Sequence, residues 1–306
     1  MAKRKLFDIW AVAYIVIFIA YAIFLIYPMF TLLRNSFLGE KGNLSIEWFS
    51  KFFSNKYYSD TLIRSFNVSI VTTALSLIVG IPLAYFYNFY ELKGKTLIQV
   101  LVILCSMSAP FIGAYAWIQL LGRAGIITTF FKSVFGITIP NIYGFNGIVL
   151  VLTLQLYPLV FLYVSGALKN IDNSLLEASS NLGCMGICRF FKVILPLCMP
   201  TILAAALLVF MRAFADFGTP LLIGEGYRVF PVEIYNQFLG ETGSNYSFAA
   251  AISVIAIVIT GVIFLIQKML SNRYAFAMNA LNPIEREKAS GFKGFLMHLY
   301  AYIVVG

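Results

Sequence analysis

Three groups of residues in this sequence have types and spacings that could do chemistry. Gly94, Lys95 and Thr96 spell the end of a phosphate-binding loop, in which backbone amides cradle phosphates and the lysine reaches them. That loop needs a glycine five positions before Gly94, where Phe89 stands, and no strand precedes it. Lys93 and Lys95 read instead as basic anchors at a membrane face. Arg212 and Asp216, four apart in an otherwise charge-free stretch, fall on one helix face where each can neutralise the other. A role in a pathway or gate and a structural ion pair both stay open for them. The third group lies in the polar segment 169–196, KNIDNSLLEASSNLGCMGICRFFKVILP. Asp172 or Asn173 can cap a helix there, with Leu175, Leu176 and Leu182 near one side and Gly183 and Gly186 supplying a left-handed stop. Arg189, Phe190, Phe191 and Lys192 then lead into the next apolar run, and Pro196 enters where a first-turn proline is tolerated.

Metal and redox chemistry find little support. The four cysteines (Cys105, Cys184, Cys188, Cys198) and the single His298 have no zinc-ligand spacing. Cys184 and Cys188 fall on a segment placed on the reducing side of the membrane and are read as free packing thiols. No H-E-x-x-H or similar constellation of nucleophile, metal ligand or acid pair occurs, which argues against a membrane-embedded enzyme.

The elements that must position these residues are membrane helices. The chain is 60% hydrophobic and 11% charged, with a mean hydropathy of +0.87, outside the range of a water-soluble domain. Charge-free stretches over 9–33, 65–90, 96–122, 133–168, 193–211 and 242–267 each hold a helix of about 20 residues, enough to cross roughly 30 Å of hydrocarbon. The fourth is too long for one crossing and is punctuated by Gly136, Pro140 and Gly144, so its helix is expected from near Gly147, with a short interfacial helix over 126–135 before it. The first run exceeds a signal peptide's core and lacks a cleavage site, so it is expected to stay as a helix.

Net charge is +9, but the basic residues are scattered between apolar runs and lack the clustering with aromatics that nucleic acid would require. They set orientation instead. A cytoplasmic N-terminus puts Lys3, Arg4, Lys5, Lys93, Lys95, Lys169, Arg189, Lys192, Lys268, Arg273, Arg286, Lys288 and Lys293 inside. Outside fall Arg34, Lys41, Lys51, Lys56, Arg64, Arg123, Lys132 and Arg228, with the acids Glu40, Glu47, Asp60, Glu225, Glu233 and Glu241. From Phe295 to Gly306 another apolar run opens, read either as an interfacial tail or as the first part of a seventh helix in a two-part protein.

In the 169–196 segment, Glu177, Ala178, Ser179, three residues, Gly183, nine residues, then Val193, Ile194, Leu195 and Pro196 are similar to the cytoplasmic EAA loop of ABC importer permeases of the MetI-like, type I family. Ser179 and Val193 depart from that pattern's Ala and Ile. The resemblance covers roughly 62–270 and implies an all-α integral membrane fold in the cell inner membrane. Six helices are expected, with a five-helix core and a cytoplasmic coupling helix between helices four and five. Residues 1–61 would be an N-terminal helix and external loop, and 271–306 a cytoplasmic tail or the start of a second permease half. Glu177, Ala178, Ser179, Gly183, Val193, Leu195 and Pro196 would couple to cytoplasmic ATP-binding subunits, which use the ATP; this chain would bind no cofactor and be no enzyme. The other implied partners are a second permease half or identical copy, an external solute-binding protein and membrane lipid. The stretch 214–238, FADFGTPLLIGEGYRVFPVEIYNQF, resembles the ferric-iron branch, with polyamine and phosphonate relatives as alternatives. An ion-gradient-driven transporter is the rival class, and it would place acids or His at the midplane, where only Asp216 is available.

Overall fold

The computed structural model describes residues 9–39, 42–107, 109–137, 140–240, 245–273, 287–288 and 291–305. Lys3, Arg4, Lys5, Glu40, Lys41, Glu241 and Arg286 lie outside them. Helices α1 (Ile9–Tyr21) and α2 (Tyr27–Ser36) are joined through a π turn, Ala22–Ile26. There follow α3 (Glu47–Ser54), α4 (Lys56–Phe89), α5 (Lys95–Ser106), α6 (Pro110–Leu121), α7 (Ile126–Phe135) and α8 (Phe145–Lys169). Next come α9 (Asn173–Asn181), α10 (Ile187–Arg189), a second π turn (Phe190–Ile194) and α11 (Leu195–Ala215). The chain continues as α12 (Gly218–Ile223), α13 (Phe230–Leu239), α14 (Tyr246–Arg273) and α15 (Gly291–Val305). Two short strands, β1 (Tyr90–Glu91) and β2 (Glu287–Lys288), pair in parallel.

Among the described residues six helical stretches are long and apolar enough to cross a bilayer: Trp10–Ser36, Lys56–Phe89, Pro110–Phe135, Phe145–Lys169, Ile187–Ala215 and Tyr246–Leu270. The protein is therefore a multi-pass membrane protein. The third differs from the expected single helix over 96–122. A residue before proline is pushed out of the helical region, and Ala109 is extended (φ −70°, ψ 139°), so α5 ends at Ser106 and α6 starts afresh at Pro110. The fifth begins earlier than 193, because helix already forms at Ile187 in the polar segment.

Both π turns lie immediately before a proline. Tyr27 N–H donates to Ala22 O and Leu195 N–H to Phe190 O, each reaching back five residues, and Pro28 and Pro196 come next. Proline lacks the donor and crowds the carbonyl four residues back; a wider turn relieves that crowding without breaking the rod.

The chain divides into two compact units, one of residues 1–60 and 233–259 and one of 61–232 and 260–306. In the larger unit, α4 buries Ser65, Ser69, Thr72, Ser76 and Gly80, a run of small residues at helical spacing. A Cβ at Gly80 would lie 2.7 Å from Val160 Cβ, so only glycine permits this approach of α4 to α8. Deeper along the same contact, Asn88 Nδ2 donates to Ser165 Oγ at 2.7 Å, satisfying two buried polar groups. The α15 helix is fixed to this unit by tyrosines: Tyr300 Oη donates to Val79 O (2.7 Å), Tyr302 Oη to Lys93 O (2.7 Å), and Tyr157 Oη to Val304 O (2.9 Å). In the smaller unit Trp48 is buried, donates from Nε1 to Leu38 O (2.8 Å) and packs on Phe248.

Candidate functional site

The polar segment between α8 and α11 folds as a helix with defined ends. Asp172 is its N-cap, its carboxylate accepting from Ser174 N–H at 3.0 Å, which resolves the choice between Asp172 and Asn173. At the far end Gly183 N–H bonds Ser180 O and Cys184 N–H bonds Ser179 O, both at 2.9 Å, with Gly183 at φ +78°. This is the 5→2 and 6→1 pair of a Schellman stop, which requires a left-handed residue at the position of Gly183.

The faces of α9 differ from the pattern read from sequence. Leu176 and Ser179 turn inward, Ser179 Oγ donating to Leu176 O at 2.7 Å. Leu175 and Leu182 face outward, the latter 87% exposed, because residues seven apart share a face while Leu176 lies about 100° away. Glu177 and Ala178 are exposed beside them, and Glu177 Oε1 accepts from Asn173 Nδ2 at 2.8 Å. Met185 and Ile187 extend the exposed apolar surface beyond the glycine stop. Met185 and Ile187, with Tyr85, Phe86, Tyr90 and Phe190, also line a recess of about 590 Å³, and Phe190 packs edge-on against Tyr85 with centroids 5.0 Å apart.

Val193, Leu195 and Pro196 do not follow a loop. They belong to the continuous stretch Ile187–Ala215, so the turn after α9 passes straight into a membrane helix. The expectation of free thiols is corrected here: Cys184 and Cys188 form a disulfide with Cα atoms 5.5 Å apart. Gly183 and Gly186 both take positive φ and fold the chain back on itself between α9 and α10, which brings the two sulfurs together. Cys105 and Cys198 are free.

Arg212 and Asp216 are not brought together as a pair; among the described residues no ion pair joins them. The helix that would hold them four apart ends at Ala215, and Asp216 is extended (ψ 126°), its Oδ2 accepting from Thr219 N–H at 3.1 Å at the start of α12. Lys95 places its ammonium 4.2 Å from the centre of the buried Tyr87 ring.

One group escaped the sequence reading. Glu233, counted there among the acids of an external loop, is only 2% exposed. Its Oε2 accepts from the Tyr57 hydroxyl at 3.1 Å and its Oε1 from Gln237 Nε2 at 2.8 Å. The available signal was Glu233 and Gln237 at helical spacing in the mostly apolar run 230–239.

Known proteins share both sequence and fold with this chain. Ferric transport system permease protein FbpB of Actinobacillus pleuropneumoniae is 31% identical over 212 residues, 69% of this chain and 30% of that protein. The chain spans about a third of the ferric-transport proteins it matches. Spermidine/putrescine transport system permease protein PotB of Haemophilus influenzae is 32% identical over 242 residues, 76% of this chain and 83% of that one. A chain of a bacterial alginate ABC transporter, crystallised with an alginate pentasaccharide-bound periplasmic protein, superposes with a TM-score of 0.73 over 88% of this chain and 96% of its own, at 18% identity, a likeness of fold. Residues 1–276 match the model of the binding-protein-dependent transport system inner membrane component, and with six apolar helices and a matching fold this chain belongs to that family of MetI-like permeases.

Proposed function

We propose that this chain is the permease subunit of an ATP-driven ABC importer and forms the pathway for a small solute delivered by an external binding protein. The observation that carries the reading is the 172–215 segment. A capped helix exposes Glu177 and Ala178, ends at Gly183, and continues into a membrane helix through Val193, Leu195 and Pro196. Such a helix can seat in a groove of a soluble ATPase and move with α11 as one body. ATP hydrolysis then belongs to that separate subunit. A second permease half, in the same or another chain, completes the pathway with the core over 62–270, while Arg212 and Asp216 stand near one end of it.

Ferric iron is the proposed solute, in keeping with the ferric-transport relatives. A polyamine is the second reading, favoured by the greater share of PotB that this chain covers. Co-purification with the cognate ATPase, comparing wild type with Glu177→Ala and Gly183→Leu at matched membrane levels, tests the coupling role. Loss of the ATPase from both variants is the expected result, and equal recovery from all three would overturn it. Uptake of radiolabelled ferric citrate against radiolabelled spermidine by the assembled transporter decides the solute.

A further inference from the structure

Glu233 is a carboxylate removed from water and held only by neutral donors, the Tyr57 phenol and the Gln237 amide. Among the described residues no ion pair compensates it. Burying an uncompensated charge is costly, and such a group persists where function requires it. Tyr58 neighbours Glu233 and hydrogen-bonds Gln237; it packs edge-on against Phe248 with centroids 4.8 Å apart, and Phe248 packs against Trp48. This wall already receives a cation of the chain itself, since Lys51 Nζ lies 5.1 Å from the Trp48 ring centre and 5.2 Å from that of Phe248. Ring faces beside a desolvated carboxylate make an environment that attracts positive charge. Tyr57 is 45% exposed, so the cluster reaches the surface through the residue that holds Glu233.

We infer that Glu233, with Tyr57, Gln237 and the aromatic wall of Tyr58 and Phe248, receives a cationic centre of the transported solute. Lys51 stays on the rings of Trp48 and Phe248 and forms no ion pair with Glu233; the incoming cation supplies that direct countercharge, and the Tyr57 hydroxyl turns from donating to the carboxylate to offering its oxygen. The inference rests on the import reading above and deepens it by assigning positive charge to the solute. A trivalent metal ion and a primary ammonium both supply that charge. The alternative role is purely structural, the cluster tying the first turn of α4 to α13.

Glu233→Gln separates the two, because it keeps an oxygen acceptor for Tyr57 and removes only the charge. The purified full chain in lipid nanodiscs would be titrated with terbium(III), read by tyrosine- and tryptophan-sensitised luminescence, and with spermidine, read by calorimetry. Glu225→Gln serves as the exposed-acid control and Tyr57→Phe as a second variant. The expected result is saturable binding of at least one cation, weakened at least tenfold by Glu233→Gln and at most twofold by Glu225→Gln, with the melting temperature unchanged. Binding of terbium alone assigns a hard metal ion; binding of spermidine alone assigns an ammonium. Binding of neither cation by the wild type, or equal binding by wild type and Glu233→Gln, overturns the inference. None of these readouts uses the ATPase, so a failure of the coupling test leaves them intact, and the reverse.

Discussion

Asp172 and Gly183 bracket α9 by two different devices, a side-chain acceptor at its start and a left-handed backbone at its end. Asp172→Ala removes the first and should cost α9 about 1 kcal/mol. Faster amide hydrogen exchange confined to Asn173–Asn181, without loss of the membrane helices, is the expected signature. Asp216 and Arg212 give a second prediction at this scale. Because Asp216 accepts from Thr219 N–H and no ion pair links it to Arg212, the effects of Arg212→Ala and Asp216→Ala on stability should add to within about 0.5 kcal/mol in a double-mutant cycle. A larger coupling energy would restore the pair inferred from spacing. The spacing misled because it assumes a helix through residue 216, and where a helix stops depends on tertiary surroundings. The glycine at 183 was legible because one residue type serves that conformation without strain. Glu233 was not, since a count of charges by loop carries no information about which carboxylate the fold encloses.

At the scale of elements, long charge-free runs announced their helices well, and the short helix Ile126–Phe135 has the bounds expected of it. The break between α5 and α6 was missed because apolar composition continues across it; only the backbone restriction imposed by Pro110 marks the site. The start of the α10 to α11 rod was missed for the opposite reason, as Arg189 and Lys192 made helical residues resemble a loop. Cys184 and Cys188 make the turn between α9 and α10 chemically testable. In purified protein exposed to a mild oxidant, outside the reducing cytoplasm, only Cys105 and Cys198 should react with an alkylating reagent after denaturation, and two further sites should appear once a reductant is added. Peptide mass spectrometry reads this directly, and full alkylation before reduction would show the pair to be open.

At the scale of the whole molecule, the distribution of basic residues predicts a cytoplasmic N-terminus, with 169–196 inside and the α2 to α3 connection outside. Leu182 and Leu44 are both strongly exposed. In a background lacking the native cysteines, Leu182→Cys should react with a membrane-impermeant maleimide only after the cytoplasmic face is opened, and Leu44→Cys in intact cells; the reverse result would invert the topology. The two π turns also bear on how this chain aligns with its relatives. Each stores one spare residue inside a rod that would otherwise be α-helical, just ahead of Pro28 or Pro196. Deleting one residue elsewhere in these helices would rotate every following side chain by about 100° and present the wrong face to its neighbours. Deleting one within Ala22–Ile26 or Phe190–Ile194 would convert the wide turn to an ordinary one and leave the later faces in phase. Among the described residues, these are thus two positions in the membrane rods where a one-residue gap in a relative's sequence is compatible with an unchanged bundle.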